Sequence, residues 1–457
     1  FKIDEQTLND LELFNQALDG KSIFSCFNTA CSDGGKACVR KMLERPLTDV
    51  NKIRARVEAI RYLGQLPFFL DIRREELSFI EVYLQQEDVP QRNVYHLTSR
   101  AVKGWLKPDN DCYLRQRAVP YLGRLIRELG TFMDELPAGR VPEMVRDMQQ
   151  RVKETLAREG MQYLVNQKKD SFWTRESLDL YFRGKELDGV RVVLDTLYML
   201  DALRSLGIMT KGEELTFPIF TESGRTVRIE GLYHLFLKNP VKNDVLLDER
   251  QHLCFLTGPN MAGKSTCMKA FGVAVYLAHC GFPVPADRME LSVFKGLFTT
   301  INLSDNLSLG YSHYYNEVAR VKYIVEQVRD LEDVVVVFDE LFRGTNVKDA
   351  FDASRAVVGA FDELFRGTNV KDAYDASCAV IGGLAQLEYG VFMISTHIVE
   401  VAEFLKPFPS VCFRFFEIDM TTEEPRYTYR LREGVSDERI GMYILKKAGV
   451  VDLIEKM

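Results

Sequence analysis

Gly258-Pro259-Asn260-Met261-Ala262-Gly263-Lys264-Ser265-Thr266 decides how the chain folds. It fits G-x-x-x-x-G-K-[ST], with an apolar run, Leu253 to Leu256, directly before it and an apolar helix spanning Ser265 to His279 directly after. That context predicts a phosphate-binding loop at a strand-to-helix junction. Glycines at both ends let backbone N–H groups approach polyphosphate oxygens, and the helix N-terminus adds the positive end of its dipole. Lys264 is placed to reach the terminal phosphates and the Ser265 hydroxyl to ligate Mg²⁺.

A nucleotide loop of this kind needs an acidic strand end. Asp333-Val-Val-Val-Val-Phe-Asp339-Glu340 supplies it: a buried strand finishing in two carboxylates. Asp339 would hold Mg²⁺ through water, and Glu340 would orient or activate the attacking water. The surrounding segment is then duplicated. Residues 338–360 recur as 361–383, with differences only at Phe351/Tyr374, Arg355/Cys378, Val358/Ile381 and Ala360/Gly383.

The spacing pulls the two copies apart. A βαβ crossover takes about 30 residues, and Glu363 lies 34 residues before His397, whereas Glu340 lies 57 before it. The valine strand, however, joins the first copy, and four consecutive valines specify a central parallel strand better than the glycine-containing Ala356-Val-Val-Gly-Ala360. The first copy is therefore expected to work, with Asp362 and Glu363 of the second as the alternative pair. A chain assembled from two variants would leave the same trace. Gly390-Val-Phe-Met-Ile-Ser-Thr-His397 reads as the next core strand, ending in a histidine able to contact the γ-phosphate region.

Composition bounds the rest. The 457 residues allow two to four domains, and 46% hydrophobic with 27% charged content is ordinary for a globular protein. No apolar run approaches bilayer length, and Phe1-Lys-Ile-Asp-Glu-Gln carries neither a signal core nor a transit character, which predicts a cytoplasmic protein and no membrane partner. The missing initiator Met suggests a trimmed or partial chain. Nine cysteines without a C-x-x-C pair suit reduced, buried thiols. Residues 1–220 hold 33 Lys+Arg and 33 Asp+Glu, so 59 − 33 = 26 and 66 − 33 = 33 remain for 221–457, and the net charge of −7 sits wholly in the second part. A neutral first part neither requires nor excludes DNA.

Asn51 to Leu63 has apolar residues at helical spacing, and from 64 to 205 the pattern stays helical, broken at Lys107-Pro108, Leu136-Pro137 and Lys168-Lys169. Long helices with short turns predict a lever-like stalk. Arg73-Arg74, Arg115 with Arg117, and Lys168-Lys169 could touch phosphates or simply solvate helix faces. Strand-like runs follow at Leu215–Phe220, Val227–Ile229 and Asn243–Leu247, and later at Phe413–Met420 and Arg426–Leu431.

Several stretches resemble the MutS family of DNA mismatch-repair ATPases: Asp4-Glu-Gln-Thr7-Leu-Asn-Asp-Leu11-Glu-Leu13, Ser22-Ile-Phe, Gly34-Gly35, Arg45-Pro46-Leu47, His234, Asn243-Asp244, Gly281-Phe-Pro-Val-Pro285, and Asn302 through Glu317. The resemblance covers 1–63 and 230–450. It implies that Val241 and Asn243 edge the adenine pocket, where an aromatic of the family is replaced by Pro240 and Val241. It implies that Ser312, in the signature loop, meets the γ-phosphate of the opposite subunit, although a helix N-cap reads equally well there. It makes His397 the switch histidine, and it sets Phe342 or Phe365 where relatives usually carry glycine.

The expected protein is thus mixed in fold class: a helical MutS-like core and lever domain over 1–212, then an α/β P-loop ATPase domain of ABC type over 213–457. By resemblance it would be a homodimeric, Mg²⁺-dependent ATPase that clamps double-stranded or branched DNA by shape, with repair proteins as possible partners. Beginning at the core domain, it is expected to lack the mismatch-recognition and connector domains. The alternatives are a nucleotide-binding scaffold disabled by the duplication, and a transporter-type nucleotide-binding subunit, which would need the absent Leu-Ser-Gly-Gly-Gln.

Overall fold

The computed structural model describes residues 1–14, 20–86, 110–137, 139, 141–166, 171–212, 214–221, 224–259, 261–301, 313–342, 370–396, 398–419 and 426–436. The chain divides into two units: residues 1–26, 46–53 and 214–457 in one, 27–45 and 54–213 in the other. The first 26 residues thus group with the second half of the chain, not with the helices that follow them. The reason is local. Helix α1 (Glu5–Asp10) is capped by Asp4, whose carboxylate accepts from the Thr7 N–H. Its polar side chains bond to residues near position 300, described below. Helix α2 (Ile23–Phe27) ends at the border.

The helical unit is built from α3 (Asp33–Leu43), α4 (Val50–Gln65, from residue 54 on), α5 (Arg74–Leu84), α6 (Asn110–Glu135), α7 (Glu143–Leu156), α8 (Glu159–Asn166), α9 (Phe172–Leu180) and α10 (Leu187–Gly212), with a single π-turn at Tyr181–Lys185. α10 is buried along most of its length, so its side chains form the axis of the unit. Glycines let neighbours approach it. A Cβ on Gly207 would lie 2.3 Å from the Ile60 carbonyl oxygen, and one on Gly34 would lie 2.5 Å from the Tyr198 ring. Asp201 on α10 accepts from the Cys31 and Ser32 N–H groups and from the Ser32 hydroxyl, fixing the start of α3. Asp179, fully buried, is neutralised by Arg183 and accepts from the Tyr83 hydroxyl.

The second unit holds two sheets. In chain order its strands are β1 (Ile219–Phe220), β2 (Val227–Leu232), β3 (Asn243–Leu247), β4 (Leu253–Thr257), β5 (Arg288–Leu291), β6 (Gly296–Thr300), β7 (Val334–Phe338), β8 (Val391–Ser395), β9 (Val411–Asp419) and β10 (Arg426–Glu433). One sheet runs β1-β5-β2-β3, the other β10-β9-β4-β8-β7-β6. In the larger sheet β9, β4, β8, β7 and β6 are parallel and β10 is antiparallel. Every residue of β4, β6, β7 and β8 is buried, as the apolar runs require of strands covered on both faces. Its helices are α11 (Lys264–His279), α12 (His313–Leu331), α13 (Val370–Ala385) and α14 (Val401–Leu405).

The amino-terminal segment closes one edge of this sheet. Lys2 exchanges backbone hydrogen bonds with Lys295 and Leu297 beside β6. Thr7 Oγ1 accepts from the Thr299 N–H at 2.9 Å, and Asp10 Oδ2 accepts from Thr299 Oγ1 and the Ile301 N–H at 2.7 and 2.9 Å. Thr7 and Asp10 are 0% and 1% exposed, so these bonds satisfy groups that water cannot reach. Glu12 pairs with Lys269 of α11 at 2.7 Å, and Leu11 packs where a side chain on Gly272 would stand.

Candidate functional site

The carboxyl ends of β4, β8 and β7 lie side by side in the large sheet, and among the described residues Lys264, Ser265, Asp339 and Glu340 follow the ends of β4 and β7. Between β4 and α11 the backbone turns through Gly258 at φ +134° and Gly263 at φ +106°, values that side chains disfavour. Met261, at φ +69°, points outward and is 82% exposed. Ala262 is buried behind it, and Asn260 lies outside the described residues.

Lys264 opens α11 and folds back over the loop, its Nζ donating to the carbonyl oxygens of Gly258 and Pro259 at 2.5 and 3.2 Å. Burial pushes its pKa below the ordinary lysine value, and the charges of Glu340 and Asp339 pull it back up. A buried ammonium beside two carboxylates and a turn of backbone N–H groups is an arrangement that attracts anions and a hard cation together. Asp339 and Glu340 follow β7 directly. Asp339 Oδ1 accepts from the Ser395 hydroxyl at 2.6 Å. Glu340 and Phe342 adopt φ +51° and +61°, so the chain leaves the strand through left-handed turns.

A cavity of ≈ 650 Å³ opens over the loop, within the 300–1,000 Å³ span typical of small-molecule sites. Pro259, Met261, Gly263, Lys264, Ser265 and Thr266 form its floor, and Glu340 borders it. Val241 and Asn243 line the far side. Asn243 is also a strut: its Nδ2 donates to the Tyr429 carbonyl at 3.0 Å and its Oδ1 accepts from the Leu431 N–H at 2.7 Å. These bonds brace the bulge at Tyr427–Leu431, where Tyr429 takes φ +56° and enters the cavity wall. Phe416 and His234 also line it. His234 Nδ1 accepts from the Phe236 N–H at 3.3 Å, and burial lowers its pKa to about 4, so it is neutral at pH 7.

Sequence reading missed Tyr429 and Phe416. Both sit on strands whose alternation tells which face a residue takes but not that a bulge will turn Tyr429 toward the loop. Ser312, His397, Asp362 and Glu363 lie outside the described residues. The second copy of the repeat is described from Val370, where it forms α13, the helix that leads into β8.

A mostly parallel sheet with a cavity at its carboxyl edge, in one chain with a helical unit, defines the class: a mixed helix-and-sheet protein. Residues 254–361 match the MutS domain V family. The DNA mismatch repair protein MutS of Lactococcus lactis subsp. cremoris is 32% identical over 175 residues, 37% of this chain and 21% of that protein. MutS of Thermosipho melanesiensis is 25% identical over 355 residues, 77% of this chain and 37% of that protein, and the DNA mismatch repair protein MSH7 of Arabidopsis thaliana is 24% identical over 406 residues, 78% and 36%. Over these stretches the chain is similar to MutS-family proteins. It spans between about a fifth and two fifths of the length of these relatives. Among the described residues no helix is long and apolar enough to cross a membrane.

Proposed function

We propose that the chain is an ATP-driven DNA-binding protein of the MutS type. The α/β unit is a P-loop ATPase: residues 258–266 hold the phosphates, Lys264 swings from its own loop's carbonyls to the terminal phosphates, and Tyr429 with Val241 bounds the base. Ser265 and Asp339 offer the oxygen ligands that Mg²⁺ takes, and the ion when bound would neutralise charge on the transferred phosphoryl group. Glu340, at the cavity rim, orients the attacking water. Two chains would close over nucleotide, with Ser312 of each reaching the other's site and His397 sensing the γ-phosphate, and the helical unit would carry the change to duplex or branched DNA.

The observation that carries this reading is the burial of Lys264 beside a two-carboxylate strand end within a left-handed glycine turn. Binding of a fluorescent ATP analogue and steady-state ATP turnover, with and without duplex or branched DNA over a range of salt, test it. Lys264→Ala should abolish both binding and turnover. Retention of both overturns the reading, and turnover indifferent to every DNA removes the DNA-coupled part of it. Glu340→Gln should lower turnover by about 10²- to 10⁴-fold while leaving binding intact; if Glu363→Gln does so instead, the second copy is the working one.

A further inference from the structure

The hydroxyl of Ser395 bonds to both residues of the strand end, Asp339 and Glu340. β8 runs beside β7 with Ile394 opposite Phe338, so the next residue on β8 faces the turn that leaves β7. Ser395 is 0% exposed. Its Oγ donates to Asp339 Oδ1 at 2.6 Å and accepts from the Glu340 N–H at 3.0 Å, while its backbone carbonyl accepts from the Leu341 N–H at 3.2 Å.

A serine hydroxyl has one proton. The Glu340 N–H can only donate, so Oγ accepts from it, and the one hydroxyl proton goes to the Asp339 carboxylate oxygen that accepts it. Two consequences follow. Asp339 has one oxygen tied down, which restricts its rotamer. Glu340 is held in the left-handed region that side chains disfavour, and the bonds from residues 340 and 341 to Ser395 oppose its relaxation.

We propose that Ser395 is a positioning residue that fixes the Asp339 carboxylate for the Mg²⁺ of a bound nucleotide and the Glu340 backbone for its water. The inference rests on the nucleotide-site reading above, and it assigns to β8 a role that no motif in its sequence announced. Its prediction is a split. Nucleotide binding without metal depends on the glycine turn and Lys264, so removing the hydroxyl should leave it alone. Metal affinity and turnover depend on the oriented carboxylates, so removing the hydroxyl should lower both.

The test uses the full chain with Ser395→Ala and Ser395→Thr. Mn²⁺ binding in the presence of a non-hydrolysable ATP analogue is read by the loss of its free paramagnetic-resonance signal, beside metal-free nucleotide affinity and the Mg²⁺ dependence of turnover. Ser395→Ala should weaken Mn²⁺ binding by about 10- to 100-fold, the usual effect of losing a partner that orients a metal ligand, with metal-free nucleotide affinity within about twofold of the parent. Ser395→Thr, which keeps the hydroxyl, should restore metal affinity. Unchanged Mn²⁺ binding in Ser395→Ala overturns the inference while the nucleotide site stands. Equal loss of metal-free nucleotide binding also overturns it, because the residue would then be merely structural. If the parent chain itself binds no nucleotide, the functional reading fails first and takes this one with it. Should Ser395→Ala not fold, Ser395→Thr decides alone: parent-like metal affinity supports the role, and loss in a folded protein overturns it.

Discussion

Arg320 and Asp4 stand 316 positions apart in sequence and meet as a two-pronged ion pair, Nη1 to Oδ2 at 2.6 Å and Nη2 to Oδ1 at 3.1 Å. The same Nη2 donates to the Thr299 carbonyl at 2.7 Å. With side chains 11% and 17% exposed, the pair is shielded enough for its charge to count. Asp4→Ala also removes the cap of α1 and should lower the stability of the α/β unit by about 1.5–3 kcal/mol. Denaturant unfolding, together with faster amide exchange along Gly296–Thr300, checks it. A change below about 0.5 kcal/mol would show that the amino-terminal segment is not an integral part of that unit.

Phe342 presents two opposed terms. Its φ of +61° suits glycine, yet its side chain is 3% exposed within the core beside β7. Losing a buried phenylalanine costs about 3–5 kcal/mol and relieving a left-handed residue returns about 1–2 kcal/mol. Phe342→Gly should therefore destabilise, but less than Phe342→Ala does, reversing the usual order of glycine and alanine. Thermal unfolding of the two variants decides the point, and an alanine variant more stable than the glycine variant contradicts it.

Gly207 in α10 lies against α4, where the nearest contact of an added Cβ is the Ile60 carbonyl oxygen at 2.3 Å and the next is Gly64 Cα at 2.7 Å. In an open helix Gly→Ala stabilises by about 1 kcal/mol. Here the contacts are backbone and cannot rotate away, so Gly207→Ala should destabilise the helical unit by about 1–3 kcal/mol. Stabilisation on calorimetry would mean that the two helices are not in close contact.

His234 and His279 are both buried, and burial holds each near a pKa of about 4, against 6.5 when unfolded. His279 Nε2 accepts from the Phe294 N–H at 3.0 Å and Nδ1 faces the Val275 carbonyl at 2.9 Å, so a second ring proton would meet an N–H. The unfolded chain takes up protons between pH 6.5 and 4 that the folded one refuses, so the stability of the α/β unit is full above pH 6.5 and falls as pH drops toward 4. By pH 5 the loss should reach about 2 kcal/mol per histidine. Denaturation midpoints at pH 7.5, 6 and 5 measure it, and a flat profile refutes it.

Much of the frame was readable in the residues. Leu253–Leu256 was expected as a strand and runs Leu253–Thr257, the helix after the glycine turn begins at Lys264, and Asn51–Leu63 lies within Val50–Gln65. Continuous apolar runs ending at glycines or carboxylates leave little choice. The amino-terminal segment was not readable in the same way, because its hold depends on Asp4, Thr7 and Asp10 finding partners about 290 to 316 positions away, which no local period records. Strand spacing likewise gave no warning that Tyr429 would turn into the cavity, since the turn comes from a bulge braced by Asn243. Within the repeat, β7 ends in the first copy and the helix before β8 comes from the second.

The grip of residues 1–13 on Thr299, Ile301 and Arg320 also sets an order of events during synthesis. At about 5–20 residues per second, the interval between translating Asp4 and Arg320 is on the order of 15–60 s. Until α11 and β6 have been made, Leu11 and Leu13, fully interior in the finished molecule, lack the surfaces that bury them. The earliest of these residues to leave the ribosome are among the last to dock, and a nascent chain of this protein must be shielded or stay soluble until its own distant strand arrives.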